Sequence, residues 1–81
     1  MEKQIAMFNK NATEEIIVKL TEFKGKDLVD IRVYVKPLTS GEELKPTKKG
    51  ICVRVEAIPD LLAALKKVEK DYKEQFEKRA K

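Results

Sequence analysis

Residues 23–50 read FKGKDLVDIRVYVKPLTSGEELKPTKKG, and the alternation inside this stretch decides the fold. From Asp27 to Lys36, Val29, Ile31, Val33 and Val35 fall on one side and Leu28, Asp30, Arg32 and Tyr34 on the other. That period of two is the mark of a strand with one covered face. Upstream, Gly25 permits a tight turn. Downstream, Pro37 lacks an amide hydrogen and ends regular pairing. Thr39-Ser40-Gly41 is a turn signal, Glu42 to Lys45 reads as a short returning strand, and Lys45-Pro46-Thr47-Lys48-Lys49-Gly50 reads as a second basic turn.

The residues on either side extend the pattern. From Glu14 to Phe23, Ile16, Val18 and Leu20 share one face, and Ile17, Lys19, Thr21 and Phe23 share the other. Joined through Gly25, the two strands make an antiparallel hairpin whose open face carries Lys19, Phe23, Arg32 and Tyr34. Residues 1–13 show no sustained period and read as a partly ordered arm, with an edge strand through Ile5, Met7 and Phe8 as the alternative. Ile51 to Glu56 reads as a further strand, with Ile51, Val53 and Val55 inward and Cys52, Arg54 and Glu56 outward.

Pro59-Asp60 opens a helix predicted over residues 59–79. Leu61, Leu65, Val68, Tyr72 and Phe76 recur at steps of three and four along it, and Leu62 widens the stripe. A short sheet covers only part of so long a stripe. A second copy of the same helix is the simplest cover for the rest. Residues 14–81 are thus expected to form one α+β domain of order ββββα, dimerising through its helices.

Composition narrows the function. The chain has 81 residues, 18 Lys and Arg against 14 Asp and Glu, one cysteine and no histidine. Cys52 has no partner for an intramolecular disulfide, a Cys/His metal site is excluded, and a lone thiol fits a reducing compartment. Neither a secretory leader nor a bilayer-length apolar run is read, so a cytoplasmic location without membrane contact is expected, or a nuclear one in a eukaryote. Missing histidine removes the commonest general base, and no nucleophile motif stands in for it, so no catalytic residues, metal or cofactor are assigned. Positive charge gathers at Lys24 and Lys26, at Lys45, Lys48 and Lys49, and along Lys66–Lys81, while residues 14–22 are acidic.

The ordered motifs Phe-Lys-Gly-Lys at 23–26, Asp-Ile-Arg at 30–32 with Tyr34, Lys45-Pro46, and Lys48-Lys49-Gly50-Ile51 resemble a known family. It is the single-stranded-DNA-binding domain of the transcriptional coactivator positive cofactor 4 and its bacterial and phage relatives, and the resemblance spans roughly residues 14–72. It implies a curved four-stranded antiparallel sheet followed by a helix, dimerisation through the helices, and concave faces that take single strands or melted duplex. By that resemblance Phe23 matches the base-stacking aromatic, and Lys24, Lys26, Arg32, Lys45, Lys48 and Lys49 match the cations that contact phosphates and bases. Val35 stands where the best-known members have a tryptophan. Glu14, Ile16 and Thr21 occupy places where basic residues are expected. The short N-terminal arm, without a serine-rich segment, points to a bacterial or phage type.

The expected function is therefore non-enzymatic, largely sequence-independent single-stranded DNA binding by a homodimer, in transcription regulation or DNA maintenance, with transcription machinery as a further partner. Lys19 and Tyr34 join the nucleic-acid residues by sharing the open face. Single-stranded RNA binding and a dimeric module docking an acidic protein are the alternatives. At single positions, too, two readings stand: Arg32 either binds phosphate or pairs with Asp30 or Glu22, and Tyr34 either stacks or packs against the ribbon.

Overall fold

The computed structural model describes residues 2–39 and 41–79, with side chains through residue 75. Four strands, β1 (Lys3–Asn9), β2 (Glu14–Phe23), β3 (Lys26–Val35) and β4 (Lys45–Arg54), form one antiparallel sheet in the order β1-β2-β3-β4. A single 3₁₀ turn, Val55–Ala57, leads into helix α1, Ile58–Arg79. This is the expected ββββα order, but two of its four strands are composed differently from the expectation.

The first difference lies at the N-terminus. Residues 3–9, read as part of a loose arm, are edge strand β1, with Met7 opposite Ile17 and Phe8 opposite Ile16. The register shifts between Gln4 and Ala6, which breaks the alternation that would have betrayed the strand. Its link to β2 is tied by Asn11: Oδ1 accepts the Thr13 amide at 3.0 Å, and Nδ2 donates to Glu14 Oε1 at 2.8 Å. Such Asx turns are a standard use of asparagine in tight loops.

The second difference lies at residues 42–56. The short return strand and the second basic turn do not form as such. Lys45 to Arg54 is one continuous strand, irregular in its pairing between Arg32 and Tyr34 of β3. Thr47 bridges the irregularity, its hydroxyl donating to the Val33 carbonyl at 2.8 Å and accepting the Lys49 amide at 3.1 Å. Gly50 follows at φ 154°; a Cβ there would lie 2.3 Å from the Ile31 carbonyl oxygen. Close backbone approach demands glycine at this point. Pro46 is tolerated because β4 is an edge strand.

The β2–β3 hairpin follows the expected register, Ile17 facing Arg32 and Phe23 facing Lys26. Lys24 and Gly25 both have positive φ, 52° and 78°, as a two-residue type I′ turn requires. Only Ile17, Val33 and Tyr34 are buried among the described residues. The helix leaves the sheet through the 3₁₀ turn and does not lie along the strands. Leu65, Val68 and Tyr72 of its stripe are 54–64% exposed, Leu61 is half-buried, and Phe76 lies outside the described side chains.

Candidate nucleic-acid interface

Strand register assigns each candidate to a face. Glu15, Ile17, Lys19, Thr21 and Phe23 of β2 lie with Leu28, Asp30, Arg32 and Tyr34 of β3, and with Pro46, Gly50, Cys52 and Arg54 of β4. The opposite face is the aliphatic one, with Ile16, Val18, Leu20, Val29, Ile31, Val33, Ile51 and Val53. The hairpin face therefore holds Lys19, Phe23, Arg32 and Tyr34 together, as the alternation implies.

Phe23 and Lys26 close the hairpin as a directly opposed pair, so they share this face at its tip. The Phe23 ring is 61% exposed. Lys24 Nζ lies 5.3 Å from its centroid, a cation–π distance. The ring and two ammonium groups thus sit at one corner, held by a turn whose dihedrals set their directions.

Arg32 and Tyr34 behave otherwise. Arg32 grips Asp30 with a fork, Nε to Oδ2 at 3.3 Å and Nη2 to Oδ1 at 3.1 Å, and Nη1 donates to the Thr47 carbonyl at 2.9 Å. Its charge is balanced by Asp30, which also raises its pKa. Of the two readings of Arg32 the structure adopts the ion pair, and the partner is its own-strand neighbour. Tyr34 is only 8% exposed. A cleft of about 450 Å³ opens beside it, lined by Gln4, Ile17, Lys19, Glu43, Leu44 and Pro46. Tyr34 shares this cleft with Glu43 and Leu44 of the β3–β4 connection, and little of its surface is exposed.

Lys19 is half-buried over Tyr34, its Nζ 5.1 Å from the ring centroid. It also donates to Glu2 at 3.2 Å. Tyr34 first and Glu2 second raise its pKa, so it stays an ammonium. Lys45, opposite Val35, falls on the aliphatic side of the sheet, away from Phe23. Lys26, Lys45, Lys48 and Lys49 are exposed and form no ion pair among the described residues. Asp30 was named from the sequence as one of two partners for Arg32, whereas Thr47 and Glu2, which also decide how Arg32 and Lys19 are held, were not singled out. No group of described acidic or cysteine residues is arranged to hold a metal ion, and no described helix is long and apolar enough to cross a membrane.

Comparison with known proteins agrees with the fold. A crystal structure of a PC4 homolog from Burkholderia pseudomallei superposes with a TM-score of 0.74 at 28% identity, covering 85% of this chain and 98% of that one. A second crystal form of the same homolog gives 0.73, also at 28% identity, with 83% and 88% covered. The bacteriophage T5 homolog of the eukaryotic transcription coactivator PC4, implicated in recombination-dependent DNA replication, shares the fold with a TM-score of 0.68. Its identity is 23%, and 98% of this chain and 91% of that one are covered. No curated protein sequence matches. The family model described as Transcriptional Coactivator p15 (PC4) matches residues 10–64, more than half of the chain, and the protein belongs to that family.

Proposed function

We propose that this protein binds single-stranded DNA, or duplex that has melted, as a non-enzymatic homodimer with little sequence preference. One observation carries the reading: the hairpin register sets the exposed Phe23 ring beside Lys24 and Lys26 on the open face. An aromatic flanked by cations suits a single strand, whose bases are free to stack while its phosphates are neutralised. Such contacts tolerate any base, because every base has a π face and lysine–phosphate attraction carries no sequence information. Lys48 and Lys49 on β4 supply further charge. Family membership supports a role in transcription. The bacterial and phage homologs, one of them implicated in recombination-dependent DNA replication, favour a bacterial or phage setting with DNA maintenance as the second role.

The dimer rests on shape. The accessible surface is 6951 Å², against roughly 5,000 Å² for a compact monomer of this mass. The excess, about 2,000 Å², is more than twice the ~800 Å² that one partner gives to a standard interface. The exposed stripe Leu62, Leu65 and Val68 and the exposed Leu20, Val35 and Ile51 of the aliphatic face offer that surface.

Fluorescence anisotropy with labelled oligonucleotides, single-stranded and duplex, at two salt concentrations tests the function. Tighter binding to the single strand, weakening as salt rises, is expected. Equal or tighter binding to duplex, or no salt dependence, overturns it. An RNA strand of matched sequence, competing at parity or better, moves the assignment from DNA to RNA.

A further inference from the structure

Each guanidinium nitrogen of Arg32 donates to Asp30 or to the Thr47 carbonyl, so the arginine suggested by the motif braces the sheet and its charge is balanced by Asp30. The same face carries a second arginine. Arg54 ends β4 opposite Leu28, and alternation along β4 places it with Gly50 and Cys52, on the side of Phe23 and Lys26. It is exposed and forms no ion pair among the described residues. With Gly25, Lys26, Asp27, Val55 and Glu56 it lines a cleft of about 360 Å³ beside the hairpin tip.

We propose that Arg54 is a phosphate-binding residue of the single-strand interface. The inference rests on the single-strand reading above. Arg54 lies two strand spacings, about 10 Å, from β2 and so draws the bound strand from the Phe23 corner across β3 to β4. A planar guanidinium free of protein partners can take two phosphate oxygens at once. Asp27 and Glu56 give the cleft negative charge as well. Asp27 pairs across to Glu22, and alternation turns it toward the other face, which leaves Glu56 as the acid of the cleft on this side, while Asp30 of the same face is held by Arg32.

The test compares wild type, Arg54→Gln, Arg54→Lys and Arg32→Gln in anisotropy titrations with a labelled oligothymidylate over a range of salt. Arg54→Gln is expected to bind roughly three- to tenfold more weakly at low salt, with the slope of log affinity against log salt reduced by about 0.7. Its melting temperature stays that of the wild type. Arg54→Lys keeps the slope and loses part of the affinity. Arg32→Gln lowers the melting temperature, because its bonds to Asp30 and Thr47 are lost. A wild type that binds single strands, together with an Arg54→Gln variant of unchanged affinity and slope, overturns the assignment to Arg54 alone. A wild type that does not bind single strands removes the functional reading beneath it.

Discussion

The Phe23 ring projects from the last residue of β2 into solvent. Replacing it tests its use in binding. Phe23→Ala is expected to lose about 1–3 kcal/mol of single-strand affinity, the range for one stacked base, with the salt slope unchanged because no charge is removed. Anisotropy titration measures both; unaltered affinity would leave the ring an exposed edge residue. Gly50 is a residue of the opposite kind, required by backbone alone. An added methyl would meet the Ile31 carbonyl oxygen at 2.3 Å and the Arg32 Cα at 2.8 Å. Gly50→Ala should cost about 1–3 kcal/mol from conformational strain, and more where the strands must separate to admit the methyl. Chemical denaturation would register it as a lower midpoint with little change in slope. Since Gly50 faces Arg32 directly, the variant also disturbs the grip on Asp30.

Among the elements, the β1–β2 hairpin is secured by one carboxylate. Glu14 Oε1 accepts from Asn11 Nδ2 at 2.8 Å and from Lys10 Nζ at 2.9 Å. The Asn11 hydrogen bond, then Lys10, lowers its pKa below the ordinary 4.5. A carboxylate whose folded pKa is depressed binds fewer protons folded than unfolded. Its contribution is therefore present above pH 4.5 and is lost as pH falls through the lowered folded value. Glu14→Gln should leave β1 less firmly held at neutral pH and flatten the acid-side decline of stability. Melting temperatures of wild type and variant between pH 3 and 7 check this; parallel curves would mean that Glu14 does not couple to folding. In β4, Thr47 does comparable work with a hydroxyl, satisfying one carbonyl and one amide where the ladder is interrupted.

The whole molecule is flat and open. Its principal extents are 46 × 37 × 18 Å and its radius of gyration is 15.9 Å, against about 12 Å for a compact domain of this length. Three buried side chains among the described residues make a small core. Chains this short gain stability from association when no disulfide or metal is available. Light scattering or sedimentation at micromolar concentration should therefore report a dimer. Val68→Glu, placing a charge in the exposed stripe, should give a monomer that melts at lower temperature, because burying an unpaired carboxylate is costly. A monomeric wild type would remove the dimer from the proposal. With the sheet supported by a partner, the Phe23 corner of each chain would offer one of two equivalent tracks.

Local periodicity by itself determined the β2–β3 hairpin, the helix and its stripe, and the side of the sheet on which Phe23, Lys19, Arg32 and Tyr34 lie. Side chains two apart on a strand point the same way whatever surrounds them, so alternation from Ile16 to Val35 carried that information. Residues 51–54 were legible as a strand. Residues 3–9, an edge strand only in the alternative reading, and residues 45–50 were not, because a register shift and a bridged irregularity break the alternation and only pairing with β2 and β3 restores it. The accessibility of each candidate was likewise a tertiary matter. Whether Arg32 is free depends on Asp30 and on Thr47, fifteen residues away. Whether Tyr34 can stack depends on Leu44 and Pro46 closing beside it. Lysines at turns keep their exposure in almost any fold, so Lys24 and Lys26 could be named early. An arginine on a strand is released or consumed by neighbours that only folding brings within hydrogen-bond reach, and that difference separates Arg54 from Arg32.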